Sequence, residues 1–203
     1  MPDKYFGKYT GIVKDNRDSQ KLGQLQVSVP AIFPEEELMT ARPALPYGFF
    51  FVPEVNAKVW VEFEGGESGL PLWTGIQYVS GEWPGEAAVD PPEKRVVKTA
   101  AGHYVIFNDK SDEQGIEIKD GSNQHAIKLD KDGIEINDGA NKHTVKLDKD
   151  GIEVNDGANK QTIKLDKDGI EVKGLKIMIK DGQIELTDGT VTMKIANGVV
   201  NIS

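Results

Sequence analysis

An 18-residue tandem repeat in the second half of the chain constrains the fold more than any other feature. Residues 115–132 read GIEIKDGSNQHAIKLDKD, residues 133–150 read GIEINDGANKHTVKLDKD, and residues 151–168 read GIEVNDGANKQTIKLDKD. A fourth copy begins at Gly169 and soon departs from the pattern. A fixed period of this kind indicates one small supersecondary unit that stacks repeatedly on its neighbours.

Apolar and charged residues alternate inside each repeat. Ile134 and Ile136 flank Glu135, and the same alternation recurs later in the unit. A period of two residues is typical of a β-strand with one dry and one wet face. The Asp-Gly and Asn-Asp-Gly steps, which end at Gly133 and Gly139, are expected to be turns in which glycine adopts φ > 0.

Composition divides the chain into two parts. All fifteen aromatic residues and all ten prolines lie at or before Phe107. The Gly- and Pro-containing segment before the repeat breaks any periodic pattern, as linkers and long loops do. We therefore predict one domain in residues 1–79, a linker in residues 80–97, and a repeat domain in residues 98–203.

The repeat domain is expected to need a partner. From His103 onward the pattern predicts about twelve short strands, each with only two or three apolar side chains. A single-chain solenoid or three identical chains wound into a triangular prism would cover this stripe. We favour the trimer because the strands are short and the core is purely aliphatic. The predicted trimer core is Ile116, Ile118, Ile127, Leu129, Ile134, Ile136, Val145, Leu147, Ile152, Val154, Ile163, Leu165, Ile170 and Val172.

The prism has a predictable length. Each strand would advance the axis by one inter-strand spacing of roughly 4.8 Å, so about twelve strands give a rod of roughly 55–60 Å. That length exceeds the roughly 40–45 Å of a whole bilayer.

The first part of the chain contains several short alternating runs that are separated by polar or glycine-containing turns. This pattern predicts a small closed barrel. The predicted strands are Tyr9–Asp15, 22–29, 47–52, Lys58–Phe63 and 72–78.

Several motifs carry a family resemblance. They are residues 23–30 (GQLQVSVP), 51–55 (FVPEV), 59–65 (VWVEFEG) and 99–103 (TAAGH), together with Pro71, Trp73 and Gly75. In this order, ahead of a repeating β tail, they resemble the central spike of contractile phage baseplates, of the baseplate assembly protein V type. They are also similar to the last part of type VI secretion spikes of the VgrG class. The resemblance covers roughly residues 5–203.

The resemblance implies an all-β homotrimer in which an N-terminal OB-fold barrel is followed by an intertwined triple-stranded β-helix. It implies a non-enzymatic central spike that caps the tail tube and punctures the target cell envelope. Some relatives insert a lysozyme domain or end in a His-x-His iron site. The segment 80–98 is too short for such a domain, and no histidine follows His143.

The implied partners are other copies of the chain, tail tube or hub proteins at the barrel end, other baseplate components, and transiently the target membrane. A PAAR-like tip protein is expected on the residues Val199, Val200, Asn201, Ile202 and Ser203. The sequence shows no signal peptide or transmembrane segment. We therefore expect synthesis in the cytoplasm and assembly into the baseplate of a virion or injection particle.

Two patterns could be taken for metal sites. Asp130-Lys131-Asp132-Gly133 and its copies look like calcium loops, but they lack a third alternating ligand, so we interpret them as Asp-Gly turns. His125 and His143 share one repeat position, where the third repeat has Gln161.

Three chains could bring each of these histidines into an axial ring that holds a metal, an anion or water. The glutamine favours a plain strand-start role instead. For His103 the family role is a structural hydrogen bond.

No catalytic residue and no cofactor are predicted. The chain has no cysteine, and none of the common catalytic or nucleotide-binding motifs is present. The net charge of −9 argues against a nucleic-acid partner. Two other functions remain open: a trimeric OB-fold binding module or adhesin on a β-stalk, and a β-helical polysaccharide lyase or hydrolase.

Overall fold

The computed structural model describes residues 4–173 and the four strands at 177–179, 184–186, 193–196 and 199–202. The chain divides into two compact units, Met1–Trp83 and Pro84–Ser203. All the regular structure in the described residues is β-strand, apart from two short 3-10 turns. The all-β class predicted from the sequence is therefore confirmed.

The first unit is a closed five-stranded barrel. Around the barrel the strands follow the order β1-β2-β3-β5-β4, and only the β3–β5 pair is parallel. This arrangement is the Greek-key barrel of the OB type, as predicted. Its strands are β1 (Tyr9–Asp15), β2 (Leu25–Ser28), β3 (Met39–Pro43), β4 (Lys58–Phe63) and β5 (Pro71–Ile76).

The barrel corrects one of the predicted strands. Residues 47–52 form no strand, and the missing barrel strand is Met39–Pro43. The aromatic run in 47–52 has high β-propensity, but it lacks alternation and lies between turn-forming residues. Ala41 is the only fully buried side chain of β3, so this strand gives almost no hydrophobic signal.

Aliphatic side chains, mostly valines, fill the barrel together with Phe63 and Trp73. The indole Nε1 of Trp73, which is 1 % exposed, donates to the carbonyl oxygen of Gly23 at 2.9 Å. Such a bond removes the cost of burying the indole N–H. The buried core comprises Val13, Leu25, Val27, Val29, Ala41, Val59, Val61, Phe63 and Trp73.

A single carboxylate orders the turn between β1 and β2. The Asp18 oxygens accept hydrogen bonds from the backbone N–H groups of Gln20, Leu22 and Gln24 at 2.9, 2.7 and 3.1 Å. Partial burial raises the pKa of Asp18, but these N–H groups outweigh it and hold the pKa below its usual value. The polar turn noted in the sequence is thus tied together by one side chain.

The second unit is dominated by a nine-stranded antiparallel sheet. Its strand order is the sequence order, so each strand pairs with the ones immediately before and after it. The strands are β6 (Lys94–Lys98), β7 (Tyr104–Asn108), β8 (Gly115–Lys119), β9 (Ala126–Asp130), β10 (Gly133–Asn137), β11 (Thr144–Asp148), β12 (Gly151–Asp156), β13 (Gln161–Asp166) and β14 (Gly169–Lys173).

Two further hairpins follow the sheet. They are β15 (Ile177–Ile179) with β16 (Ile184–Leu186), and β17 (Met193–Ala196) with β18 (Val199–Ile202). Among the described residues, β7 to β18 make twelve strands, the number predicted from His103 onward. The sheet itself begins at Lys94, inside the segment predicted as linker; the exact domain bounds stay a prediction.

The repeated glycines have two different roles. Gly133 has φ +138 and follows a short hairpin turn, as expected. Gly139 does not have positive φ; a Cβ there would lie 2.5 Å from the backbone oxygens of Asn123 and Gln124. The prediction of φ > 0 was therefore wrong at this step. Here glycine is needed because successive loops stack too closely for a side chain, and Lys142 takes the positive φ instead.

Replacing Gly151 by alanine should destabilise the sheet. Its φ is +140, and a Cβ would lie 1.9 Å from the carbonyl oxygen of Leu165. We expect a loss of more than about 1 kcal/mol, visible as a fall of several degrees in Tm. The control is Gly85→Ala, where the φ is ordinary and the space is open. Equal Tm values for the two variants would contradict this account.

Candidate trimer interface

Cross-strand register places the apolar residues of the sheet on one face. Ile134 lies opposite Leu129 on one neighbouring strand and opposite Leu147 on the other. Directly opposed residues share a face, so such pairs continue into rows. One row is Phe107, Ile116, Leu129, Ile134, Leu147, Ile152, Leu165 and Ile170, and the other is Val97, Val105, Ile118, Ile127, Ile136, Val145, Val154, Ile163 and Val172. We call these two rows the aliphatic face.

All fourteen residues predicted as the trimer core lie in these two rows. None of them is buried within the chain. Ile136 is 44 % exposed and Ile170 is 72 % exposed, whereas Glu135, beside Ile136, is less exposed than it. A soluble fold normally shows the opposite pattern. The aliphatic face is therefore a large apolar surface that a single copy leaves uncovered.

The opposite face of the sheet carries alternating charges. Successive strands present Glu117, Lys128, Glu135, Lys146, Glu153, Lys164 and Glu171 in one row. The Lys146 ammonium lies 3.5 Å from a Glu135 carboxylate oxygen, so these two residues form a cross-strand ion pair. Exposed pairs of this kind add at most about 1 kcal/mol each. Their main effect is to keep this face hydrated and exposed to solvent.

Histidines and aspartates line one edge of the aliphatic face. The imidazole Nδ1 lies 3.2, 3.0 and 3.2 Å from an aspartate Oδ1 in the pairs His103–Asp120, His125–Asp138 and His143–Asp156. We call this edge, with the long loops 120–125, 138–143 and 156–161, the histidine edge. Gln161 takes the next position, opposite Asp156.

The aspartates of the histidine edge also fix their loops. The Asn141 amide, backbone N–H groups and the imidazole of His125 hold the pKa of Asp138 below its usual value, although partial burial opposes them. At the first position, the Nδ1 of His103 lies 3.2 Å from both the Gly121 N–H and an Asp120 oxygen. The tautomer decides which of these bonds forms. This contact fits the structural hydrogen bond expected of His103.

Short hairpins form the other edge of the sheet. At 130–133, Asp130 Oδ1 accepts a hydrogen bond from the Asp132 N–H at 2.9 Å, and Asp148 Oδ1 accepts one from Asp150 at 2.8 Å. These Asx turns support the turn interpretation over calcium loops. We call the hairpins 130–133, 148–151 and 166–169 the lysine edge. The side chain of Lys149 at its tip is 86 % exposed.

The structure bears less on the other predicted sites. Over residues 4–173, no three His, Asp or Glu residues are grouped as a metal site would require; an axial ring of His125 or His143 from three chains remains a prediction. In the predicted tip surface, Val199, Val200, Asn201 and Ile202 form β18, but their side chains lie outside the described part of the chain. Ser203 lies outside it altogether.

The sequence analysis missed one exposed surface on the barrel. Tyr47, Phe49, Phe50 and Phe51 project from the segment between β3 and β4, each at least half exposed. We call these four residues the aromatic loop. Its signal in the sequence is a run of aromatics without alternation, bounded by prolines, in the segment 47–52 predicted as a strand.

Replacing Ile136 by aspartate should abolish self-association. In an isolated chain this exposed position would tolerate a carboxylate at little cost, whereas in a buried interface the charge costs several kcal/mol per chain. We expect light scattering to show a fall from oligomer to monomer. The matched control, Glu135→Gln on the charged face, should keep the oligomer and lose at most about 1 kcal/mol. An Ile136→Asp protein of unchanged mass and Tm would show that the aliphatic face is not the interface.

Comparison with known families agrees with this geometry. Residues 9–78, which contain all five barrel strands, match the type VI secretion system/phage-baseplate injector OB domain. Residues 94–160, which contain β6 to β12, match the phage baseplate V C-terminal trimerisation domain. No curated protein matches the chain, and no helix in the described residues could span a membrane. The resemblance to the baseplate assembly protein V type is confirmed: the chain belongs to the phage baseplate V family of baseplate spike proteins.

Proposed function

We propose that this protein is the non-enzymatic central spike of a contractile injection apparatus, such as a phage tail, a tailocin or a secretion-like system. It caps the tail tube and punctures the target cell envelope. The observation that carries the proposal is the aliphatic face, with two unbroken apolar rows open to solvent. A rigid trimeric needle accounts for this surface and for the charged face opposite it.

Three copies arranged around one axis would bury the aliphatic faces together. Because strand order follows sequence order, each strand advances the axis by one ladder spacing of roughly 4.8 Å. Every level of the prism then holds one strand from each chain, as in the triple-stranded β-helix predicted from the sequence. The twist natural to β-sheets would wind the three chains about one another.

Stiffness follows from this arrangement. Each level buries aliphatic side chains from three copies, and separating the chains requires many levels to open together. Replacing one large aliphatic core residue by alanine typically lowers the free energy of unfolding by about 2–5 kcal/mol. Because many levels contribute such residues, we expect the trimer to unfold cooperatively as one rod. The alternating charges on the outer face keep the rod soluble. Mechanical resistance, not a reaction, is then the working property of the protein.

The alternative is a trimeric OB-fold binding module or adhesin on a β-stalk. It would use the same trimer but bind a receptor directly. The matches to injector and baseplate domains favour the spike. The two functions are distinguished by asking whether the purified protein binds target cells in the absence of any particle: strong binding would favour the adhesin.

The barrel would contact tail tube or hub proteins through the aromatic loop. Replacing Phe49 and Phe51 by serine together should leave the mass of the trimer unchanged, because neither residue lies in the sheet. Incorporation into assembled particles should fall several-fold, as expected for lost aromatic anchors at an interface. The control is Leu70→Ser, another exposed apolar residue of the barrel outside this loop. Equal incorporation of both variants would exclude the aromatic loop as the contact.

A PAAR-like tip protein on Val199, Val200, Asn201, Ile202 and Ser203 remains part of the proposal. It derives from the resemblance. Baseplate partners and brief contact with the target membrane have the same basis.

The decisive experiment is the solution mass of the purified protein, with a denaturing gel of unheated and heated samples beside it. We expect about three times 22.3 kDa and a band that resists detergent until it is heated, because intertwined chains separate only when many levels open. A monomer at all concentrations would overturn the spike. It would return attention to a single-chain solenoid and to a lyase or hydrolase.

A further inference from the structure

We infer that neighbouring chains meet at unlike edges, with the histidine edge of one copy seated against the lysine edge of the next. This corner contact rests on the proposed trimer and goes beyond burial of the aliphatic face. It assigns contacts to the polar residues of the histidine edge and of the lysine edge, which lie outside the proposed apolar core.

The up-and-down order of the antiparallel strands places the histidine edge and the lysine edge on opposite sides of the sheet. The three long loops within the repeats, at 120–125, 138–143 and 156–161, close one side of the sheet, and the short hairpins of the lysine edge close the other. The strands between them are five or six residues long. At about 3.4 Å per residue, the edges of one copy lie roughly 17 Å or more apart.

Symmetry then decides which edges meet. Three sheets that turn their aliphatic faces toward a common three-fold axis enclose a triangle, and each side of the triangle is one copy. A three-fold rotation places the histidine edge of each copy at the same end of its side of the triangle, and the lysine edge at the other end. Every corner therefore joins the histidine edge of one copy to the lysine edge of the next. Contact between two like edges would require a two-fold axis.

The chemistry of the two edges is complementary. The imidazoles of His125 and His143 are each held through Nδ1 by an aspartate of their own chain, as His143 is by Asp156 at 3.2 Å. The other ring nitrogen, Nε2, is left to bond elsewhere, as an acceptor in neutral imidazole or a donor in the protonated ring. The hairpin 148–151 offers both possible partners, the ammonium of Lys149 and the carboxylate of Asp150, with exposures of 86 % and 66 %.

The charges of the two edges also favour a contact between unlike edges. The hairpin 148–151 carries two carboxylates and one ammonium, whereas the long loop 138–143 carries one carboxylate, one ammonium and one imidazole. A corner of unlike edges therefore sets a more acidic surface against a less acidic one. A corner of two lysine edges would set like charges against each other, which is unfavourable at an interface.

The chain has no cysteine, so introduced pairs report the corner directly. We would combine Ala140→Cys on the histidine edge with Lys149→Cys on the lysine edge, in the full-length chain, and treat it with a thiol cross-linker shorter than the strand. Both side chains are exposed at loop tips, and the strand between them prevents a bridge within one copy. We expect a covalent trimer on a heated denaturing gel. Each single variant should remain a monomer there.

A second pair, Ala158→Cys with Lys167→Cys, repeats the test one repeat further along. Cross-linked dimers from either single variant would overturn the inference, since they require like edges to meet. It is equally overturned if neither double variant cross-links while light scattering still gives a trimer. A monomer by light scattering would instead mean that the proposed function fails, so the two failures are distinguishable.

Discussion

The second unit depends on the burial of one face of its sheet, the aliphatic face. Two rows of apolar side chains, one across all nine strands of the sheet and one across eight of them, are left largely open to water by a single copy. Burial of such surface is worth roughly 25 cal/mol per Å². The residues of these rows are all at least partly exposed in a single copy, so more of this favourable free energy becomes available when copies associate. The match to a trimerisation domain agrees with this requirement.

The two units differ in how their apolar side chains are buried. The barrel closes on itself, buries Trp73 almost completely and gives its indole N–H an acceptor within the same unit. The repeat sheet has no aromatic residue after Phe107 and no buried layer of its own beyond Ile106. The barrel therefore has a buried core within one copy, whereas the sheet leaves its apolar face exposed. The chain thus joins a unit with a core of its own to one whose apolar face is covered only by self-association.

Several acidic residues of the repeat shape its turns and loops. Asp130 and Asp148 cap their own hairpins, and Asp138 fixes a long loop while holding His125. These bonds explain why each repeat keeps the same acidic positions without any grouping suited to a metal in residues 4–173. The edges of the sheet are thereby shaped alike in every repeat, which is what regular contact with a neighbouring copy requires.

Much of the fold could be predicted from the sequence alone. Alternation around Glu135 determined which residues share a face, because a strand's side chains have a period of two, and the repeat then set the number of strands. Sequence patterns could not identify β3, where only Ala41 is fully buried, or the exposure of the aromatic loop, because burial depends on what the rest of the chain packs against. They also misjudged Gly139, whose constraint is a backbone in the preceding loop. Local pattern thus decided the strands and their faces, whereas the closure of the barrel and the stacking of loops were decided by tertiary structure, since both depend on contacts between residues far apart in the chain or in successive repeats.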